Sequence, residues 1–384
     1  MMKILIGSLT YALPNGVTIS INRSIDGFNK KGIKTIIVSP DYGIGKTRKE
    51  HYLAPSSLIT KSVGVLIGKE ERTFGFGAYS KIKEIDDEFN PDAYWLHTIT
   101  WTPNAFERFI FKSKKPKVVF YHTMVEEYGR IYAGPIGATT MRLRSKTVCN
   151  KADSVIIPSE MMKRKLINYG VKTPIYVIPT GISIPKKQFT KAEICKKFGI
   201  DPSSKILLHV GRVSKEKNLE VLLKATKKIN DLGFNAVALF VGPGDIEEMI
   251  EEAEELKIDD KVFFSGGLAK EEAQAVYGGA DVFIFSSQTE TQGLVIGEAM
   301  AAEIPVVALK SPIQEEVYPK EVAAVADNFD DFIEKLKSVL KNSEETKEMV
   351  KRAKTFVDEN FSEQTMIDKQ VKIFEELIAQ KDLK

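Results

Sequence analysis

The chain has 384 residues, which is too long for one ordinary hydrophobic core and is typical of two domains of about 150–200 residues each. A content of 43% hydrophobic and 28% charged residues excludes a disordered or fibrous protein, and no apolar run approaches the roughly 20 residues that span a bilayer. The cysteines, Cys149 and Cys195, have neither metal-ligand nor disulfide spacing, which indicates a reducing cytoplasm.

The net charge of +3 is the sum of two unlike halves. Residues 1–183 contain 27 Lys and Arg against 15 Asp and Glu, a balance of +12, whereas residues 184–384 contain 28 against 37, a balance of −9. A basic half suits an anionic partner, such as a polyanion or an anionic membrane surface. An unevenly charged, solvated surface explains the balance equally well, so charge alone leaves both interpretations open.

Short apolar runs alternate with helix-like patterns along the chain, which predicts an α/β protein with parallel sheets. The predicted strands of the first half are KILIGSL, IKTIIVSP, AYWLHT, VVFYH, SVIIPS and IYVIPTG. Those of the second half are KILLHVG, NAVALFVG, VFFSGG, VFIFSS and IPVVAL. A stretch with Pro and Gly at residues 179–193 separates the halves. The sequence therefore predicts Rossmann-like domains at residues 1–183 and 184–360, followed by an amphipathic C-terminal helix at residues 361–384.

Loops after the strands are candidate sites, because doubly wound sheets bind ligands beyond the carboxyl ends of their strands. The first strand is followed by PNGV, in which Gly16 opens a helix and would let a diphosphate approach backbone N–H groups. The first strand of the second half is followed by HVGRVSKEKN, where Arg212 and Lys217 precede a helix that we predict to open at Asn218. Two cations beside a helix N-terminus suit an anion, although two solvated charges would have the same spacing.

Several titratable side chains occupy apolar segments. Glu290 and Glu298 lie eight positions apart in ETQGLVIGEAMA, where burying a carboxylate is costly unless another group binds it. His97 and His122 each end an apolar strand, a position at which histidine is more often structural than catalytic. Two histidines on neighbouring strand ends make a role in a site more plausible, whereas His209, inside a strand, is predicted to be structural.

Together these residues resemble the retaining glycosyltransferases of family 4, whose GT-B architecture has two Rossmann-like domains facing across a crevice. The resemblance covers nearly the whole chain and rests on the PNGV loop, the GRVSKEKN loop and the two glutamates of ETQGLVIGEAMA, which have seven residues between them. It implies that the fold class is α/β of the GT-B type, with the C-terminal helix packing back on the first domain.

The resemblance implies a role for each candidate side chain. Arg212 and Lys217 would hold the diphosphate of a nucleotide-sugar, with a UDP-sugar as the expected donor, while Glu298 binds its ribose and Glu290 the transferred sugar. The other implied residues are Gly16, Gly293, Leu294 and Val295 for the donor, His122 beside the transferred sugar, and Trp101 and Tyr128 for the acceptor. Since the chain contains no Asp-x-Asp, we expect neither a metal nor another cofactor to be required.

Two longer stretches, residues 122–132 and 149–171, are similar to the glycosyltransferases that act on diacylglycerol. This resemblance implies transfer of a hexose, with glucose expected, to a membrane lipid such as diacylglycerol or to a soluble sugar. A nucleotide-sugar epimerase is the alternative on the same architecture. We expect a cytoplasmic protein with peripheral contact to the anionic inner face of the membrane and no nucleic-acid partner. Residues 101–117 are the predicted lipid contact, with an ordinary amphipathic helix as an equal alternative.

Overall fold

The chain folds into two compact units in the computed structural model, which describes residues 1–13, 15–58, 72–184, 186–288, 290–311 and 316–382. Unit 1 comprises Met1–Gly181 and Glu363–Lys384, and unit 2 comprises Ile182–Ser362. Unit 2 is therefore a contiguous segment, after which the chain returns to unit 1 for its last helix. Among the described helices, none has the length and apolar character that crossing a bilayer requires.

Unit 1 is built on a seven-stranded parallel sheet. The strands of unit 1, which include two outside this sheet, are in chain order β1 Lys3–Gly7, β2 Lys34–Pro40, β3 His51–Ala54, β4 Ser56–Leu58, β5 Arg72–Phe74, β6 Ala93–Leu96, β7 Lys117–Phe120, β8 Ser154–Ile157 and β9 Ile175–Val177. The sheet has the order β3-β2-β1-β6-β7-β8-β9, while β4 and β5 form a separate antiparallel pair. The chain order therefore reverses between β1 and β6, which makes the carboxyl ends of these two strands a topological switch point.

The helices of unit 1 are α1 Gly16–Lys30, α2 Ala78–Phe89, α3 Ala105–Ile110, α4 Val125–Lys151 and α5 Glu160–Asn168. The side chain of Asn15 caps α1 by accepting a hydrogen bond from the Thr18 amide. Helix α4 is two helical segments, because Ala133 and Gly134 have non-helical backbone angles and Pro135 follows them.

The C-terminal helix, Glu363–Asp382, packs on α1 and completes the core of unit 1. Its Phe374 is fully buried and meets the rings of Phe28 and Trp95 edge-on. Gly27 of α1 makes the close approach possible, since a Cβ atom there would lie 2.4 Å from Ile367. This packing confirms the prediction that the last helix returns to the first domain.

Unit 2 contains a second parallel sheet. Its strands are β10 Lys205–Val210, β11 Ala236–Val241, β12 Val262–Phe264, β13 Val282–Phe285, β14 Val306–Leu309 and β15 Ala324–Ala326, in the order β12-β11-β10-β13-β14-β15. Its helices are α6 Lys191–Phe198, α7 Glu220–Asp231, α8 Glu247–Glu255, α9 Lys270–Ala275, α10 Leu294–Ala301, α11 Phe329–Leu340 and α12 Glu344–Asn360. This is the strand order of a Rossmann fold, with its switch point between β10 and β13.

Candidate active site

The candidate residues of unit 2 lie at its switch point. Arg212 and Lys217 are in the loop after β10, and Glu290 is in the loop after β13. Because β10 and β13 are parallel neighbours, their carboxyl ends meet at the same edge of the sheet. The structure thus brings residues from the two halves of the predicted motif set to one place.

Two serines from the end of β13 fix the loop that carries the cations. The Ser286 hydroxyl donates to the carbonyl oxygens of Lys217 and Asn218, at 2.9 and 2.8 Å, and the Ser287 hydroxyl donates to that of Glu216 at 3.4 Å. Asn218 has a φ of 55°, a left-handed conformation, and α7 begins only at Glu220. The prediction that Asn218 opens this helix is therefore wrong, because Asn218 instead ends the short 3₁₀ turn before it.

Arg212 forms an ion pair with a buried acid. Its Nη2 lies 2.9 Å from Oε1 of Glu216, whose side chain is only 1% exposed, whereas the arginine is 42% exposed. Among the described residues, Oε2 of Glu216 has no hydrogen-bond partner. The pair leaves the guanidinium at the surface of the switch point and fixes its direction, since a buried carboxylate holds one edge of it.

Lys217 forms the second ion pair of the site, with Glu290. Nζ of Lys217 lies 2.5 Å from Oε1 of Glu290, and both side chains are largely buried. Burial alone would raise the pKa of Glu290, but the Lys217 ammonium and the Ser287 hydroxyl together outweigh burial and lower that pKa below its ordinary value of 4.5. Both predicted cations are therefore matched by a carboxylate, so the site is not a simple excess of positive charge.

The lowered pKa of Glu290 predicts how the stability of the protein depends on pH. A carboxylate with a depressed folded-state pKa contributes stability that is complete above the unfolded value, about 4.5, and is lost as pH falls through the folded value. The unfolding free energies of wild type and Glu290→Gln should therefore differ by a constant amount from pH 7 to about 5 and converge in acid. Denaturant unfolding followed by circular dichroism measures this difference, and an unchanged difference at pH 3.5 would contradict the assignment.

Glu298 is the most buried carboxylate of the candidate set. It lies in α10, is 4% exposed, and accepts hydrogen bonds from Nε2 of Gln274 at 2.8 Å and from the Tyr277 hydroxyl at 3.3 Å. These two donors, which the sequence motifs did not indicate, answer how a carboxylate is tolerated in so apolar a helix. A carboxylate only accepts hydrogen bonds, so hydroxyl groups are the part of a ligand that Glu298 suits.

The start of α10 lies between the two glutamates. Gly293 has a φ of 70°, a conformation that favours glycine, and the Tyr318 hydroxyl donates to its carbonyl oxygen at 3.0 Å. Leu294 and Val295 occupy the first turn of the helix, where backbone N–H groups have no partner within the helix. The geometry is therefore consistent with the predicted role of these residues toward an anion.

Unit 1 has its own group of predicted residues at the carboxyl edge of its sheet. His122 follows β7, and its Nε2 lies 2.7 Å from Nδ1 of His97, which follows β6. Trp101 is in the loop after β6 and Tyr128 in the first turns of α4, and both are half-buried. Gly16 is the first residue of α1, the helix that follows β1. β1 is the other strand of the switch point of unit 1.

Two family models match the chain, one in each half. Residues 14–185 match the model described as Glycosyltransferase Family 4, and residues 190–356 match the model described as Glycosyl transferases group 1. A curated relative, the alpha-monoglucosyldiacylglycerol synthase of Streptococcus pneumoniae, is 32% identical over 254 residues, which are 63% of this chain and 57% of the relative. The matched region is thus little more than half of that protein.

Solved structures share the fold of the chain. The sucrose-phosphate synthase of Thermosynechococcus elongatus has a TM-score of 0.81 and 18% identity, with 99% of this chain and 100% of that one covered. HepE of Anabaena, solved in complex with UDP and glucose, has a TM-score of 0.77 and 17% identity, with 98% and 100% covered. These likenesses confirm the predicted GT-B class of two Rossmann-like domains. The chain belongs to the glycosyltransferases, with a Family 4 domain followed by a group 1 domain.

Proposed function

We propose that this protein is a retaining glycosyltransferase that moves a hexose, with glucose as the first candidate, from a UDP-sugar to a membrane lipid such as diacylglycerol. The observation that carries the proposal is the arrangement at the switch point of unit 2. There Lys217 pairs with Glu290, and Glu298 follows on the helix that Gly293 begins. Cation, helix start and buried carboxylate are the groups that a diphosphate, a sugar and a ribose require.

The reaction requires the protein to stabilise the diphosphate as the glycosidic bond breaks. Arg212, Lys217 and the first amides of α10 supply positive charge for that leaving group without a metal. Glu290 stays ionised beside Lys217 and binds hydroxyls of the transferred sugar instead of attacking its anomeric carbon. We therefore propose attack by the acceptor on the same face of the sugar, with the departing phosphate oxygen taking the acceptor's proton.

The acceptor assignment rests on the relative from Streptococcus pneumoniae, whose name states its product. The Streptococcus pneumoniae protein is called a monoglucosyldiacylglycerol synthase, and a glycolipid product is the simplest activity to carry over. Other proteins with this fold have names that indicate a soluble product, as the sucrose-phosphate synthase does. Transfer to a soluble sugar is therefore the second candidate, with Trp101 and Tyr128 of unit 1 as the proposed acceptor contacts in either case.

A turnover screen tests this function. The full chain is incubated with radiolabelled UDP-glucose or other nucleotide-sugars, with and without diacylglycerol vesicles, and label is counted in the organic phase. We expect organic-phase label that requires the lipid and survives a chelator. Label that stays in water with a new sugar product would favour a soluble acceptor, and conversion of donor alone would favour an epimerase. Loss of all turnover on chelation would contradict the metal-free mechanism.

Peripheral membrane contact is part of the proposal, and α4 supports it better than residues 101–117 do. In that stretch Phe106 is fully buried and Phe109 packs edge-on against Tyr79 and Tyr94, which favours an ordinary amphipathic helix. In α4, by contrast, Ile136 and Leu143 are 82% and 58% exposed. Seven positions separate them, so they share one face of the helix.

The position and charge of α4 fit a lipid surface. Its second segment begins at Pro135 and has 17 residues, which make a helix about 25 Å long. The neighbouring strands have only four residues and are about 13 Å long. Because the helix returns toward the amino ends of these strands, its start extends beyond the carboxyl edge of the sheet. Residues 128–152 contain five basic side chains and no acidic one. Exposed apolar residues flanked by basic ones are typical of helices at an anionic membrane interface.

Removing the apolar side chains of α4 should weaken vesicle binding. We expect the double variant Ile136→Ser with Leu143→Ser to bind anionic vesicles at least about tenfold more weakly, because two exposed side chains lose their burial in the interface. Vesicle flotation measures this. Leu232→Ser in unit 2, where the leucine is 45% exposed, is the matched control and should bind like wild type. Equal binding by all three proteins would refute a role for α4.

A further inference from the structure

His97 and His122 connect two neighbouring strand ends of unit 1 through their rings. Nδ1 of His97 lies 2.7 Å from Nε2 of His122, the ring centroids are 4.9 Å apart and the planes are inclined by 20°. The rings therefore lie edge to edge and nearly coplanar, as an in-plane hydrogen bond requires. Since one hydrogen bond contains one proton, two neutral rings joined in this way have only two possible forms.

The surroundings keep both rings neutral. The His122 ring stacks on Phe120 with 3.8 Å between centroids, and the His97 ring lies 4.3 Å from Trp95. Burial lowers the pKa of His122 to about 3. Burial, with a smaller contribution from His122, also lowers the pKa of His97 well below its ordinary value. At neutral pH the question is therefore which nitrogen of each ring carries its one proton.

Two unpartnered atoms decide between the forms. Among the described residues, Nε2 of His97 and Nε1 of Trp95 are both buried without a hydrogen-bond partner. Trp Nε1 is always a donor. If His97 carried its proton on Nε2, two adjacent rings would each bury an N–H without an acceptor. If it carries the proton on Nδ1, its Nε2 is an acceptor beside the indole donor, and the local electrostatics are complementary.

We propose that His97 is a positioning residue that donates its Nδ1–H to Nε2 of His122 and so places the His122 proton on Nδ1. His122 then meets its ligand as a hydrogen-bond donor with its Nε2 already engaged, and not as a general base. Sugar hydroxyl oxygens are acceptors that such a donor fits. The role toward the sugar rests on the proposed function, whereas the placement of the protons does not.

The protein supplies its own standards for a spectroscopic test. Its histidines are His51, His97, His122 and His209. Nδ1 of His209 lies 3.2 Å from the Ile284 carbonyl oxygen, which only accepts, so His209 must carry its proton on Nδ1. Nδ1 of His51 accepts from the Thr47 amide at 3.2 Å, so His51 must carry its proton on Nε2. Each tautomer thus has one reference ring.

Imidazole carbon and nitrogen shifts of the histidine-labelled full chain at pH 7 give the answer. Because each ring of the His97–His122 pair must have the same tautomer as the other, the proposal predicts three Nδ1–H rings and one Nε2–H ring. The reverse orientation gives one and three. Any distribution other than three to one overturns the proton placement, and this holds even if the protein transfers no sugar.

Two substitutions test the positioning role. His97→Asn keeps an amide N–H close to the position of Nδ1, whereas His97→Leu has similar bulk and no donor. We expect the leucine variant to lose the Nδ1–H signal of His122 and about tenfold in turnover, the scale of one lost hydrogen bond, and the asparagine variant to recover most of both. UDP affinity and thermal unfolding confirm that each variant is folded. Equal turnover by the folded leucine and asparagine variants would overturn the role of His97.

Discussion

Lys217→Ala should raise the dissociation constant for UDP or the UDP-sugar by about 30-fold or more. The substitution removes a cation from the proposed diphosphate site and leaves Glu290, which lies 2.5 Å away, as a partly buried anion without its partner. Losing one member of a buried, hydrogen-bonded charge pair costs about 2–5 kcal/mol. Isothermal titration of the full chain with UDP measures the effect, and Glu290→Gln in the same background should recover part of the stability but not the affinity.

Lys215 is the control that the same turn provides. It lies two residues before Lys217, is 81% exposed and, among the described residues, forms an ion pair only with Glu248, which is 75% exposed, at 3.2 Å. Lys215→Ala changes the net charge by the same amount but should leave affinity within about twofold, because an exposed ion pair contributes little. Similar losses in both variants would mean that general charge attraction, and not the Lys217 position, holds the donor.

Glu298→Gln should lower donor affinity by about tenfold or more and also destabilise unit 2. The carboxylate accepts hydrogen bonds from Gln274 and Tyr277, and the proposed ribose hydroxyls would add to them. A glutamine is neutral and has one acceptor oxygen, so the hydrogen bonds from Gln274 and Tyr277 lose their charged acceptor, and only one of the two donors can still donate to residue 298. Hydrogen bonds to a charged group contribute about 1.5–3 kcal/mol each.

The comparison variant for this second experiment is Glu303→Gln. Glu303 is exposed and lies just after α10. Its substitution makes the same chemical change as Glu298→Gln, five positions further along the chain. Its UDP affinity and melting temperature should match wild type. If Glu298→Gln binds UDP normally and binds a nucleotide without ribose hydroxyls equally well, the proposed ribose contact is wrong.

The long strands of both sheets could be predicted because each is a continuous apolar run, as β11 shows with all six residues buried. The strands β3, β4, β5 and β15 were missed. Length alone does not explain this, because β12 also has three residues and lies at a sheet edge; its sequence VFF is strongly apolar, whereas β15 reads AVA. Their place comes from pairing with a neighbour that is already in the sheet, which a local pattern does not contain.

The sequence motifs name the residues that lie together at the switch point of unit 2, but they do not name the residues that hold them there. Gln274 and Tyr277 lie in and just after α9 and meet Glu298 from more than twenty positions away. Nothing in the local sequence separates this glutamine from a solvated one. Glu216 is different, since an acid between Lys215 and Lys217 in a loop of cations is a visible signal for an ion pair.

The return of the C-terminal helix to unit 1 has a consequence for the order of folding during synthesis. Residues 1–181 of unit 1 leave the ribosome before unit 2, yet Met366, Ile367 and Phe374 of its core are made after unit 2. Domains generally fold as units once their residues are available. Unit 2 can therefore fold first, while the apolar surface of α1 stays uncovered until the C-terminal helix is made. Of the two units, the one whose synthesis starts earlier is therefore the one that is completed later.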